Sequence, residues 1–301
     1  MIPYPKEIYL ETSTICQFAC IFCLNPRLPS RQTLSFEKIK TIIEKFENGT
    51  LIDLTGYGEF LMYPEFESLV SFLTEKKIKF TFNTNGQALN KRKQDILRSS
   101  TLSSINFSLN TLNNKLHYYF SGEKSNLDNI LTNIIQFVKK PRDFETSVSM
   151  VVNSQNFLEM TNFVKFASNN EIENVRFIPL AQNVEYPENF NSPDNIEVVK
   201  SLQKATLLAG KLGVHPYGID PNAWSSVLKK APMTTCTVPW RMIIIGVQGN
   251  IAACCNLPNY SLGNINEKSF EEIWNGEKAT KLREAIKTGN NSICKNCPEF
   301  E

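Results

Sequence analysis

The chain has 301 residues, 42% hydrophobic and 21% charged, enough apolar material for one large domain or two modest ones. Its 32 basic and 30 acidic side chains leave a formal charge of +2, which excludes a nucleic-acid binder driven by bulk charge. No apolar run reaches the roughly 18 residues of a membrane helix, and the opening residues lack the layout of a signal peptide. The chain therefore reads as soluble and cytoplasmic, with no membrane partner.

From the N-terminus, Glu7 to Glu11 alternates polar and apolar residues as a strand does. Ser35 caps a helix reaching Phe46, with Phe36, Ile39, Ile42, Ile43 and Phe46 on one face. A second strand spans 51–55 and a second helix 64–76. Four more strands are predicted at 78–82, 104–109, 147–152 and 175–180, separated by helices near 90–99, 127–139 and 155–168. Six strands, each followed by a helical stretch, imply an α/β protein with a parallel sheet. Periodicity does not choose between a closed barrel, a partly open one and a doubly wound sheet. Residues 183–195 read as a linker and 195–211 as a helix. Beyond them the character changes to a hairpin, 242–247 and 250–253 around Gln248-Gly249, and a last helix at 269–287. The domain boundary falls between 185 and 234.

Eight cysteines stand at 16, 20, 23, 236, 254, 255, 294 and 297, with none between Cys23 and Cys236. Four disulfides suit small secreted scaffolds, which this chain is not; cysteines crowded at both ends point to metal. With only His117 and His215 besides, thiolates must dominate any ligand set, which favours zinc or iron–sulfur and excludes a His-rich zinc hydrolase. Cys16-x3-Cys20-x2-Cys23 puts three thiolates on one loop after the first strand and leaves one metal position open. Cys236, Cys254, Cys294 and Cys297 can together saturate one zinc or one [4Fe–4S] cluster. Cys255, next to Cys254 on a strand, points to the opposite face.

The C-x3-C-x2-C loop, with Phe22 before its last cysteine, resembles the signature of the radical S-adenosylmethionine (radical SAM) superfamily. The resemblance implies a [4Fe–4S] cluster on Cys16, Cys20 and Cys23, whose fourth iron is chelated by S-adenosylmethionine (SAM). It also implies reductive cleavage of SAM to a 5′-deoxyadenosyl radical, fed by a reductant such as flavodoxin or ferredoxin. Gly56-Tyr57-Gly58-Glu59 is similar to the family's GGE motif, which contacts the SAM amino group; Tyr57 departs from the commoner glycine. Asn83-Thr84-Asn85-Gly86 and Ser108-Leu109-Asn110 resemble the family's polar strand ends, making Asn83 and Ser108 further candidates for SAM contact.

Cys236-x12-Gly249-x4-Cys254, followed by Leu262-Gly263-Asn264 and Phe270 to Asn275, resembles SPASM-type radical SAM proteins. With no cysteines after Cys297, the shortened twitch form with one auxiliary [4Fe–4S] cluster on Cys236, Cys254, Cys294 and Cys297 is implied. The expected architecture is a partial (β/α)6 TIM-like barrel over 1–185, a bridging segment over 186–233 and a small α+β cluster domain over 234–301. Two enzymatic substrates fit: a small polyol, aminocyclitol or sugar that is oxidised or epimerised, or a ribosomally made peptide that is epimerised, cross-linked or given a thioether. The short stretch before Cys16 leaves no room for a leader-binding domain, which favours the small substrate. A silent zinc-binding protein is the alternative outside enzymes. Cys255 is a candidate hydrogen-atom donor, while His215, Tyr217, Asp220, Trp240 and Arg241 are candidates to line a substrate pocket.

Overall fold

The computed structural model describes residues 3–46, 49–180, 186, 190, 195–217, 233–255, 257, 260–290 and 292–294. In chain order the elements are β1 (Glu7–Leu10), α1 (Phe36–Ile43), β2 (Leu51–Asp53), α2 (Phe66–Glu75), β3 (Phe80–Thr84), α3 (Lys91–Arg98) and β4 (Leu102–Ser108). Then come α4 (Asn114–Ser121), α5 (Leu127–Val138), β5 (Glu145–Val152), α6 (Met160–Asn169), β6 (Asn174–Pro179), α7 (Asn195–Leu212) and β7 (His215–Tyr217). The C-terminal elements are β8 (Met242–Ile245), β9 (Asn250–Ala252), β10 (Ser261–Asn264), α8 (Phe270–Trp274) and α9 (Glu277–Thr288).

The chain divides into two compact units. One comprises Met1–Ile15, Ser30–Thr81 and Ser226–Glu301, the other Cys16–Pro29 and Phe82–Ser225. In the first, β1 pairs in parallel with β2 and with β8, and β2 with the start of β3 through Ile52↔Phe80 and Asp53↔Thr81. Strands β8, β9 and β10 follow one another antiparallel. Ile8, Leu10, Ile39, Leu69, Leu73 and Phe80 are fully buried in this unit. Parallel pairing of β4, β5, β6 and β7 builds the second unit, with Phe107, Val148, Met150, Phe163 and Val164 fully buried. Among the described residues no helix is long and apolar enough to cross a membrane.

Several boundaries differ from the sequence reading for local reasons. β3 begins at Phe80 rather than 78, because residues 77 and 78 close α2. Lys77 takes a left-handed φ of 56°, Ile78 N–H donates to the Leu73 carbonyl and Lys77 N–H to that of Thr74. This is a Schellman closure with a lysine in the position glycine usually fills. The same closure recurs after α6, with Glu171 at φ 58° and Ile172 N–H on the Ala167 carbonyl. α4 was not anticipated; its His-Tyr-Tyr-Phe centre has weak helix propensity, but Asn113 caps it by accepting from Leu116 N–H. The single helix expected at 269–287 is two, parted at Asn275-Gly276, where a Cβ on Gly276 would lie 2.5 Å from the Glu272 carbonyl oxygen.

Candidate functional site

In the second unit the loop carrying Cys16, Cys20 and Cys23 hangs on the C-terminal end of α4. Ala19 N–H donates to the Ser121 carbonyl at 3.1 Å and Ile21 N–H to that of Phe120 at 3.0 Å. Phe22 packs on Phe120 and stacks on Phe190, with centroids 5.8 and 6.0 Å apart. Cys23 N–H donates to the Cys20 carbonyl, folding the x2 segment into a turn. Backbone N–H groups point at two of the sulfurs: Phe18 to Cys16 Sγ at 3.5 Å, Asn25 to Cys23 Sγ at 3.4 Å. All three cysteines are half-buried.

Cys20 senses both neighbours. Burial first, then Cys23, and more weakly Cys16 push its thiol up to about 12, against a hydrogen bond from the Ser121 hydroxyl that favours the thiolate. Asn85, after β3, ties the next strand end to this loop. Its Oδ1 accepts from Gln17 Nε2 at 2.9 Å and from Gln87 N–H at 3.0 Å, while its Nδ2 lies 3.9 Å from Cys16 Sγ.

His117 on α4 is 3% exposed and packs edge-on against Phe18, centroids 6.0 Å apart. Neither ring nitrogen has a hydrogen-bond partner among the described residues. Burial lowers its pKa below the ordinary 6.5, so the folded chain keeps the ring neutral. The sign for stability follows: the contribution is intact above 6.5 and is lost as pH falls below it toward the lowered value. We expect metal-free wild-type protein to lose denaturant midpoint between about pH 7 and about pH 5 more steeply than His117→Leu; parallel slopes would refute this.

In the first unit the Gly-x-Gly-Glu loop is held by the segment that follows β1. Glu11 follows that strand and is 8% exposed. Its Oε1 accepts from Tyr57 N–H at 2.8 Å and its Oε2 from Val247 N–H at 3.2 Å, joining this loop to the β8–β9 hairpin. Burial raises its pKa, and the two backbone donors pull it back. The glycines are required by this packing: a Cβ on Gly56 would sit 2.5 Å from Glu11 Cγ, and one on Gly58 would collide with the Ser13 carbonyl. Glu59 is buried; its N–H donates to Ile15 O at 2.8 Å and its Oε1 accepts from Leu61 N–H at 3.0 Å, capping a 3-10 turn at Phe60–Met62. Tyr57 is exposed.

Asn83 lies within β3 and Ser108 ends β4; both are half-buried in the second unit. Asn110, at a left-handed φ of 63°, spends its Oδ1 on Val151 N–H at 2.9 Å and so serves the backbone.

The C-terminal cysteines belong to the first unit. Cys236 follows a 3-10 turn at Met233–Thr235, Cys254 follows β9, and Cys294 follows α9; all three are half-buried, whereas Cys255 is exposed. Tyr260, whose hydroxyl donates to Lys278 O at 2.9 Å, has its pKa raised by burial and, among lesser causes, by Cys294. Cys297 and Asp220 lie outside the described residues. Arg241 is taken by an ion pair with Glu7 at 2.5 Å, Lys287 Nζ stands 5.9 Å over the Trp240 ring, and His215 is exposed on β7.

Among the described residues no three Cys, His, Asp or Glu side chains stand close enough, as placed, to hold a metal ion. The donor chemistry nevertheless fits iron–sulfur clusters. Three coupled thiols share one short loop whose N–H groups already face sulfur, and Cys236, Cys254 and Cys294 offer further thiol donors in the first unit. Glu11, Asn85 and His117 are the residues that motif reading passed over. An acidic residue closing a buried strand was the visible signal for Glu11; for Asn85 it was its place beside Asn83, and His117 gave none.

Comparison with known proteins adds family to geometry. The Radical SAM superfamily profile matches residues 10–167, and an iron–sulfur cluster-binding domain profile, SPASM, matches 236–298. The antilisterial bacteriocin subtilosin biosynthesis protein AlbA of Bacillus subtilis is 23% identical over 94% of this chain, which spans 62% of AlbA. The S-adenosyl-L-methionine-dependent 2-deoxy-scyllo-inosamine dehydrogenase of Niallia circulans is 36% identical over 73 residues, 23% of this chain and 29% of that protein. Streptococcus suis SuiB superposes with a TM-score of 0.79 when bound to S-adenosylmethionine, at 18% identity over 99% of this chain and 76% of SuiB. Bound to precursor peptide SuiA it superposes at 0.77, again at 18% identity, over 99% of this chain and 74% of SuiB. These likenesses show the fold, the α/β radical SAM architecture expected from the sequence.

Proposed function

The chain belongs to the radical SAM superfamily, with a C-terminal iron–sulfur cluster-binding domain, and from that premise we propose that it abstracts a hydrogen atom from a peptide substrate. The superfamily implies a [4Fe–4S] cluster and SAM as cofactors, and the SPASM domain implies auxiliary iron–sulfur ligation. In this reading Cys16, Cys20 and Cys23 hold the SAM cluster, and Cys236, Cys254, Cys294 and Cys297 hold one auxiliary [4Fe–4S] cluster. When bound and reduced by a flavodoxin or ferredoxin, the SAM cluster supplies the electron that releases a 5′-deoxyadenosyl radical. The chain's own part is positional. Three thiols leave one coordination position for SAM, Glu11 and Ile15 fix the backbone of Gly56 to Glu59, and Asn83 and Ser108 offer polar groups at strand ends. Three half-buried thiols on one short loop, with the Phe18 and Asn25 N–H groups directed at two of the sulfurs, are the observation that carries this reading.

Two relatives weigh for the peptide above the small polyol that the sequence alone favours. AlbA, named for bacteriocin biosynthesis, matches nearly the entire chain, and SuiB is a neighbour with a precursor peptide bound. A second reading, dehydrogenation of an aminocyclitol alcohol, has the 36% identity over 73 residues in its favour. Anaerobically reconstituted protein is expected to hold about eight irons. It should transfer deuterium into 5′-deoxyadenosine from a perdeuterated peptide substrate, sought first among any short peptides encoded beside its gene. Transfer from deuterated 2-deoxy-scyllo-inosamine alone would replace the first reading with the second, and bound zinc without iron would remove both.

If the peptide reaction is an epimerisation, the exposed Cys255 thiol returns the hydrogen atom. Cys255→Ala is then expected to abolish solvent deuterium uptake at the inverted carbon while 5′-deoxyadenosine is still released. An unchanged labelled product would end that role.

A further inference from the structure

A buried imidazole with two idle nitrogens calls for an explanation, because leaving a buried donor or acceptor unmet costs on the order of 1–3 kcal/mol. His117 is such a group: 3% exposed, without a partner among the described residues, and packed edge-on against Phe18 between the first two cysteines of the triplet. Its surroundings are built around that triplet. One turn along the same helix, Ser121 is 4% exposed, lies near enough to Cys20 to favour its thiolate, and accepts Ala19 N–H on its carbonyl. Residues four apart on a helix share a face, so α4 carries His117 and Ser121 on the side that meets the cysteine loop. Helix and loop both lie in the second unit. The preceding residue, Phe120, fixes the loop from the adjoining position through Ile21 N–H and the Phe22 ring.

We propose that His117 and Ser121 form the outer shell of the cluster on Cys16, Cys20 and Cys23, with the His117 N–H donating to a sulfur that arrives with the cluster and Ser121 donating to Cys20. This rests on the proposed assignment of those three thiols. Hydrogen bonds to cluster sulfurs stabilise the reduced, more negative state and raise the reduction potential. His117 is therefore a positioning and tuning residue. It touches neither SAM nor substrate in this assignment, and its effect belongs to the cluster itself.

The composition makes a direct test practical, since His117 and His215 are the only two histidines. Protein grown with 15N-histidine, loaded with iron and sulfide and reduced, is examined by pulsed EPR. The expected spectrum shows a 15N coupling that persists in His215→Gln and disappears in His117→Leu. His117→Leu and Ser121→Ala are each expected to shift the midpoint potential of the SAM-responsive EPR signal to more negative values. A loaded wild-type cluster without 15N coupling, or an unchanged potential in His117→Leu, would overturn the proposal. The labelled wild-type measurement stands even if the leucine variant does not fold. If wild-type protein took up no iron, the thiol assignment itself would fail, an outcome plainly different from a loaded cluster that ignores His117.

Discussion

Cys20→Ala should give a folded protein that binds about half the iron of wild type and releases no 5′-deoxyadenosine. Under the proposed assignment, removing one of three ligands destroys the cluster that binds SAM and leaves the C-terminal thiol set untouched, so the count should fall from about eight irons to about four. The metal-free fold should hardly notice. Cys20 is half-buried, and its thiol, pushed up to about 12 by burial and by Cys23 and Cys16, contributes little that alanine would lose. A denaturant midpoint within about 1 kcal/mol of wild type is expected. The same elevated pKa fixes a pH dependence. Metal-free protein carries a proton on Cys20 at any ordinary pH, and the loaded form cannot. Loading releases that proton and becomes more favourable as pH rises. Competition against a fixed chelator from about pH 7 to about pH 9 should show tighter iron retention at the alkaline end in wild type. Undiminished 5′-deoxyadenosine from Cys20→Ala would withdraw the assignment of the triplet.

Much of the candidate site was legible because the proposed chemistry needs rare residues at short spacing. Cysteine triplets and Gly-x-Gly-Glu turns are written in a few neighbouring positions, and a βα repeat places them after strands. What escaped was of another kind. Glu11 joins Tyr57 to Val247, partners far apart in sequence that one pair of strands, β1 and β8, brings to the same carboxylate. Asn85 and His117 acquire meaning only when β3 and α4 stand against the cysteine loop. The turns at Lys77 and Glu171 escaped because propensity marks glycine, and only the isoleucine after each, half-buried at 78 and buried at 172, accompanies the closure. Short β7 and β10 carry too few residues for periodicity to register.

The two glycines of the proposed SAM loop, Gly56 and Gly58, give the second large effect, and they separate ligand approach from fold. A methyl group on Gly58 would collide with the Ser13 carbonyl, stand 2.8 Å from its carbon and 3.0 Å from Ile15 O. Those atoms are backbone. Ser13 is fixed by its bridge to Thr33, and Ile15 O already accepts Glu59 N–H, so relief requires breaking the contact that holds Glu59 in place. Gly58→Ala is expected to cost ~3 kcal/mol in the metal-free protein, the upper range for overpacking, and to weaken SAM binding by more than tenfold. Gly56→Ala meets a side chain instead, Glu11 Cγ at 2.5 Å and Oε1 at 2.8 Å. Its cost is the loss of Glu11's hydrogen bonds to Tyr57 and Val247, ~1–2 kcal/mol. A double-mutant cycle distinguishes the two mechanisms. With Glu11→Ala in the background, the part of the Gly56→Ala penalty that comes from Glu11 Cγ and Oε1 should vanish, leaving only the contact with its Cβ at 2.9 Å, while the Gly58→Ala penalty should be unchanged. Equal penalties for Gly56→Ala in both backgrounds would mean that Glu11 is not what the glycine accommodates, and a Gly58→Ala protein as stable as wild type would mean that the loop does not pack on the segment after β1 as described.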